Sequence, residues 1–234
     1  MADEEARRVD IETLRRAPLF AGLDDDGAGE LLSKLSSARV QRGDTLFREG
    51  TDGDKVYVVL TGKMKLVKAS ADGRENLLAV IGPGEMFGEL SLFDPIPRTS
   101  SAVAISDSEL AALSHKELRP WISAHPDVAM HLLRALAQRL RRTNELMADL
   151  VFTDVPGRVA RQLLVLSRKF GRASAEGIHV EHDLTQEELA QLVGASRETV
   201  NKALADFANR GWLRIEPRAV ILLDEERLSR RARV

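Results

Sequence analysis

Cysteine is absent from these 234 residues, which excludes disulfides, thiolate zinc sites and cysteine-held iron–sulfur clusters. No apolar run approaches the roughly 20 residues of a membrane-spanning helix. The opening stretch MADEEARRVDIETLRR is acidic and then mixed. It lacks the basic start and apolar centre that export needs, so a cytoplasmic chain without membrane association is expected. Net charge is lacking too: 34 Lys and Arg against 36 Asp and Glu leave −2, so binding to nucleic acid would have to rest on a local patch. Residues 154–234 hold 14 basic against 12 acidic groups, which leaves −4 for residues 1–153. The five histidines, His115, His125, His131, His179 and His182, are scattered, and no nucleophile-and-base arrangement is present. Neither a metal site nor an enzyme is expected.

Glycine and proline inform by where they are missing. Neither occurs between Pro126 and Pro156-Gly157, so one long helix is expected from Asp127 to Val155. At 1.5 Å per residue its 29 residues would reach roughly 40 Å, more than a small sandwich needs to cover one face. Ala129, Leu133, Leu136, Leu140, Thr143, Met147 and Leu150 alternate four and three residues apart, the spacing of a coiled-coil seam between two chains. Leu132 and Leu146 lie beside it and are expected to face the helix's own domain. An amphipathic helix wholly buried in one chain is the alternative. Eight of the 16 glycines fall between Gly43 and Gly88, punctuating β-rich runs such as KVYVVL, KMKLV and NLLAVI. Short strands joined by tight turns predict an antiparallel sandwich or barrel.

Beyond Pro156 the run GRVARQLLVLSRKF reads as a helix. Thr185 with Glu188 forms a capping box, QEELAQLV a short helix, Gly194 the turn, and Ser196 the cap of a second helix starting at Arg197. This is a helix-turn-helix. GWLRIE and AVILLD, separated by PR, predict a small hairpin or wing. Arg197, Glu198 and Lys202 are suited to base edges, and Ser196 and Thr199 to phosphates. Thr185 and Gln186 complete the candidate DNA contacts. A solvated helix with an i,i+4 pair between Glu198 and Lys202 is the plain alternative. The basic end RLSRRARV is read either as a phosphate-contacting arm or as a solvated terminus.

GEMFGELSLFDPIPRTS, from Gly84 to Ser100, places Glu89 nine residues before Arg98 in a stretch suited to an anion. An exposed Glu89–Arg98 salt bridge is the alternative. FGELSLF with PRTSS, LRRTNELMADLVFTDVPGR and LTQEELAQLVGASRETVNKAL together resemble the cyclic AMP receptor protein (catabolite activator) family of transcription regulators, and most closely its actinobacterial members. The resemblance covers nearly the whole chain. It implies an α+β protein: an N-terminal cyclic-nucleotide-binding β-roll (jelly-roll) over residues 1–126, a dimerisation helix over 127–153, and a C-terminal winged helix-turn-helix over 154–234.

It further implies that cyclic AMP is the effector, with no other cofactor. Glu89 would hold the ribose 2′-OH, and Arg98 the phosphate with Gly88, Leu90 and Thr99 around it. Thr143 from the same subunit and Asn144 from the partner would meet the purine, although a polar pair in the seam also reads as a register device. Three positions depart from the enterobacterial pattern, which has serine at Thr99, serine at Asn144 and arginine at Lys202, and cyclic GMP stays a competing effector. Double-stranded DNA, a second copy of the chain and RNA polymerase at activated promoters are the implied partners. A ligand-independent DNA binder of the same fold is the alternative function.

Overall fold

The strand built from KVYVVL shows no polar alternation because it is covered on both faces. In the computed structural model, which describes residues 12–70 and 75–233, β3 (Lys55–Thr61) is buried from Val56 to Leu60. The opening residues on which the export reading rests lie largely outside the described residues. The chain divides into two compact units, one up to residue 140 and one from 141 onward, the three residues Asn76–Leu78 aside.

The first unit holds α1 (Asp25–Ser33), β1 (Ser36–Val40), β2 (Thr45–Phe47), β3, β4 (Met64–Ala69), β5 (Glu75–Ile81), β6 (Met86–Phe87), a single turn α2 (Leu90–Phe93), β7 (Ser101–Ala104), β8 (Ser108–Ser114) and α3 (His115–Ala124). Its strands form two four-stranded sheets, ordered β1-β8-β3-β6 and β2-β7-β4-β5. Tyr57, Val59, Met64, Leu66, Phe87 and Leu110 fill the core of the roll. The alternate residues Val56, Val58 and Leu60 join Leu31, Trp121 and Leu132 in a second core. Each such fully buried side chain contributes roughly 1.5–3 kcal/mol. Aromatics are scarce, 4% of the chain, yet Phe47, Tyr57 and Phe87 cluster with centroids 5.5–6.0 Å apart.

The long helix α4 runs Pro126–Phe152, three residues short of the expected end. Pro156 and Gly157 do not break it from outside. They stand inside the first turn of α5 (Val155–Phe170), where proline's missing N–H is harmless. The break lies at Thr153-Asp154, because the Asp154 carboxylate caps α5 by accepting from Gly157 N at 3.0 Å. Along α4, Leu132 is buried as expected, but Leu146 is 48% exposed, which corrects its inward assignment. Leu133, Leu140, Met147 and Leu150 are each more than half exposed. Among the described residues, therefore, nothing buries this face of the helix fully.

The second unit continues with β9 (Gly171–Ala173), β10 (Ile178–Glu181), α6 (Gln186–Val193), α7 (Arg197–Asn209), β11 (Leu213–Glu216), β12 (Ala219–Leu222) and α8 (Glu225–Arg231). The expected wing hairpin, β11 with β12, is half of a four-stranded sheet ordered β11-β12-β10-β9. The other two strands, β10 and the edge strand β9, come from the Gly-containing segment after α5. Leu163, Leu166, Leu189, Val200, Leu204, Phe207 and Leu228 are buried in this unit.

Candidate ligand pocket and nucleic-acid interface

The loop between β6 and β7 builds most of a pocket, partly open to solvent, lined by Phe47, Leu66, Gly88, Glu89, Leu90, Ser91, Pro97, Arg98, Thr99, Ser100 and Arg139. Arg98 enters it from a pinned backbone: its N–H donates to Thr51 O and its carbonyl accepts from Gly50 N, both at 2.8 Å. The side chain is 6% exposed. Nη1 donates to Gly88 O at 2.8 Å and to Ser91 Oγ at 3.2 Å, Nη2 donates to Lys55 O at 2.7 Å, and the guanidinium lies 4.2 Å over the Phe47 ring. Burial pulls its pKa below the ordinary arginine value, an effect opposed by Tyr57, Asp54 and Glu89. Gly88 has a φ of +81°, and a Cβ there would lie 2.7 Å from Arg98 Nη1, so the close approach requires glycine.

Glu89 is 2% exposed. It does not pair with Arg98, and a surface salt bridge between those two is excluded. Its Oε1 accepts from Arg139 Nη1 at 2.5 Å, a partner 50 residues away on α4 that sequence reading missed. Two buried polar atoms of this pocket have no hydrogen-bond partner, Glu89 Oε2 and Arg98 Nε. One is an acceptor and the other a donor, so the pocket suits a molecule carrying a hydroxyl and an anion. Thr99 lines the pocket and is exposed. Thr143 and Asn144 are exposed on α4 and are not among the lining residues. Behind the pocket, His115 is buried with Nε2 unpartnered. Burial first, then Arg98 and Arg119, holds its pKa below the ordinary value.

The helix-turn-helix forms at the expected residues. Thr185 Oγ1 accepts from Glu188 N at 3.2 Å while Thr185 N donates to Glu188 Oε2 at 2.7 Å, completing the capping box. Gly194 takes φ +71° at the turn, the left-handed conformation that ends α6. Ser196 Oγ accepts from Thr199 N at 3.2 Å and bonds Thr199 Oγ1 at 2.8 Å. Arg197, Glu198, Thr199 and Lys202 are exposed, and Lys202 pairs with Glu198 at 2.9 Å. That pair has three quarters or more of each side chain in solvent, so it is worth little and is readily exchanged for another partner.

The basic end is a packed helix rather than a free arm. Leu228 of α8 is fully buried. Arg231 pairs with the cap Asp154 at 2.5 Å, and Arg161 donates to Ala232 O at 2.5 Å while also binding Asp149. The Arg231 hydrogen bond, with that of Gly157 N, holds the Asp154 carboxyl below its usual pKa. Arg158 adds donors to Thr153 O at 2.8 Å and to Val193 O and Gly194 O at 3.1 Å. The α4–α5 break is thus tied both to the helix-turn-helix and to α8.

Among the described residues no helix is long and apolar enough to cross a membrane, and no group of His, Asp or Glu could hold a metal ion. Residues 38–125 match the cyclic nucleotide-binding domain family, and residues 157–231 match the Crp-like helix-turn-helix domain family. A Mycobacterium tuberculosis protein named CRP-like cAMP-activated global transcriptional regulator is 54% identical over 95% of this chain and 99% of its own length. The Thermus thermophilus protein named Cyclic AMP receptor protein is 37% identical over 88% of this chain and 93% of its own. The solved structure of FixK2 from Bradyrhizobium japonicum superposes with a TM-score of 0.75 at 25% identity, covering 84% of this chain and 96% of that one.

Proposed function

The chain belongs to the CRP-like family of transcription regulators, and from that membership we propose that it is a homodimeric transcription factor that binds cyclic AMP and reads a two-fold symmetric DNA site. The observation that carries this reading is the complementary pair of unpartnered buried atoms, Glu89 Oε2 and Arg98 Nε, in the ligand pocket of a chain that also presents a capped helix-turn-helix. Glu89 accepts the ribose 2′-OH and Arg98 meets the cyclic phosphate. Gly88, Leu90 and Thr99 surround that phosphate.

The exposed apolar row on α4 is covered by the same row of a second copy. In that dimer Thr143 meets the purine of its own chain's ligand, and Asn144 of the partner subunit meets it from the other side. Residues 1–126 form the ligand domain, 127–153 the dimer helix and 154–234 the DNA-binding domain. Arg197, Glu198 and Lys202 read bases, Thr185, Ser196 and Thr199 approach phosphates, and Gln186 stands at the same surface. RNA polymerase is the partner at activated promoters, in the cytoplasm, and the chain is not an enzyme.

Titration calorimetry with cyclic AMP and with cyclic GMP, each repeated in the presence of operator DNA, tests this reading. Coupling between ligand and DNA must be reciprocal. Tighter binding of cyclic AMP than cyclic GMP, with mutual strengthening by DNA, is the expected result. DNA affinity indifferent to either nucleotide would replace the reading with a ligand-independent regulator.

A further inference from the structure

Two side chains of α7 converge on one oxygen of α6. Gln186 Oε1 accepts from Arg197 Nη2 at 3.3 Å and from Asn201 Nδ2 at 3.1 Å. Arginine offers only donors, so Arg197 selects which end of the Gln186 amide faces it, the oxygen. An oxygen so placed accepts a second donor and nothing else, which in turn selects the Nδ2 end of Asn201. Asn201 Oδ1 is left buried and without a partner. An unmade buried bond opposes this arrangement, so Asn201 is held by its donor end.

Gln186 is itself fixed, because it is the first residue of α6 and follows Thr185, whose backbone and hydroxyl are both engaged by Glu188. Arg197 and Asn201 stand four residues apart, one above the other on α7. The chain of constraint runs from the capping box to Gln186 and from Gln186 to Arg197. Lys202 has no such support, since its partner Glu198 is as solvated as itself.

Resting on the reading of α7 as the helix that enters the major groove, we propose that Gln186 and Asn201 are positioning residues for Arg197. They occupy one of its five N–H groups and leave the others free for a guanine's O6 and N7. Discrimination at that base then depends on two residues that need not touch it. This gives Gln186 a different task from a phosphate contact, and it adds Asn201, which is half-buried, to the residues that govern specificity.

The test uses full-length protein with saturating cyclic AMP and three duplexes. One is a symmetric site selected by the wild type from random sequence, one is the same site with the Arg197-dependent guanine replaced in both halves, and one is random sequence. Gln186→Ala is expected to reduce the ratio of affinities for the first two by about three- to tenfold, a part of the discrimination a bidentate contact supplies. Asn201→Ala should reduce it less. Gln186→Glu should retain it, because a carboxylate accepts from both donors. In an Arg197→Ala background, Gln186→Ala should change nothing further.

Gln186→Ala and Asn201→Ala change no charge, so the salt dependence of binding to random sequence should keep the wild-type slope in both. If Gln186→Ala instead weakens all three duplexes equally, Gln186 is a phosphate contact and the proposal is overturned. An unchanged ratio overturns it as well. If the wild type selects no site, or Arg197→Ala leaves the ratio intact, the reading of α7 itself fails and takes this inference with it.

Discussion

The pocket behind α2 and the exposed start of α7 each hold an arginine ready, and they do so in opposite ways. Arg98 is 6% exposed, with its donors already given to Lys55 O, Gly88 O and Ser91 Oγ and its face against Phe47. Much of its desolvation is met before any ligand arrives, while Nε stays unpartnered, so an anion there would meet a cation that is already oriented. Arg197 is exposed and held by one 3.3 Å bond to Gln186. A buried cation suits one small anion bound in one pose, whereas an exposed one can adjust to a long surface and remain subject to salt. On the proposed reading, stringency in the first region comes from burial, and in the second from a base contact that Gln186 and Asn201 help to aim.

The largest effect that would break this contrast is expected at Arg98. Arg98→Leu should cost about 3–5 kcal/mol of cyclic AMP binding, roughly two to three and a half orders of magnitude in affinity, because the anion loses its buried partner. It should also cost some stability, because Lys55 O and Gly88 O each lose a charged donor, Gly88 O keeping Ser91 Oγ at 3.3 Å. Glu89 keeps its own cation, since its partner is Arg139. Calorimetry together with thermal melting separates the two losses, and undiminished ligand binding would remove Arg98 from the site.

Arg197→Ala should lose roughly 1–3 kcal/mol at a cognate site and relax the preference for guanine, with cyclic AMP affinity unmoved. Equal losses on cognate and random DNA would make the exposed arginine a phosphate contact and would weaken the contrast. Asn144→Ala joins the two regions. It should lower the coupling between cyclic AMP and operator by about 1 kcal/mol, more than it lowers cyclic AMP binding alone. The measurement is operator affinity with and without saturating cyclic AMP at one salt concentration. An unchanged ratio would assign Asn144 to helix register only.

The smallest effect sharpens the buried side. His115 is kept neutral by burial and by Arg98 and Arg119, with its pKa lowered from 6.5. A group whose folded pKa is depressed contributes stability that is present above the unfolded pKa and is lost as pH falls below it. The melting temperature should therefore decline as pH drops through 6.5 and toward the lowered folded value. His115→Gln should flatten that part of the profile. Parallel profiles for the two proteins would show that His115 carries none of the dependence.

How much of this was legible in the chain depended on distance along it. Both ends of α6 and the start of α7 could be read to the residue because their causes are local: Thr185 and Glu188, Gly194, and Ser196 lie within a turn of the bonds they make. The strand runs KVYVVL, KMKLV and NLLAVI were equally clear. Glu89 and Arg98 were readable as a pair only through resemblance, and their true partners were not. Arg139 is 50 residues from Glu89 and lies on another element, so no spacing rule connects them. The Arg197–Gln186–Asn201 cluster was hidden for the same reason.

Pro156-Gly157 misled because such a pair usually stops a helix from outside, whereas the Asp154 cap placed it within a new first turn. Periodicity assigns Leu146 inward, but among the described residues about half of it stays uncovered. The charged run at the end concealed a helix anchored by one leucine, since its other side chains carry no apolar pattern.

That anchored helix has a practical side. Residues such as Arg231 and Ala232 invite trimming when a stable fragment is wanted for crystallisation or when a cleavable handle is placed after them. Yet one of them completes the cap of α5 and the other supplies the carbonyl that holds Arg161. A trimmed preparation should still fold and still bind nucleotide, but its hinge would lack two of its fasteners. Disagreement between laboratories over how strongly nucleotide alters DNA affinity would then trace to where each had cut the chain.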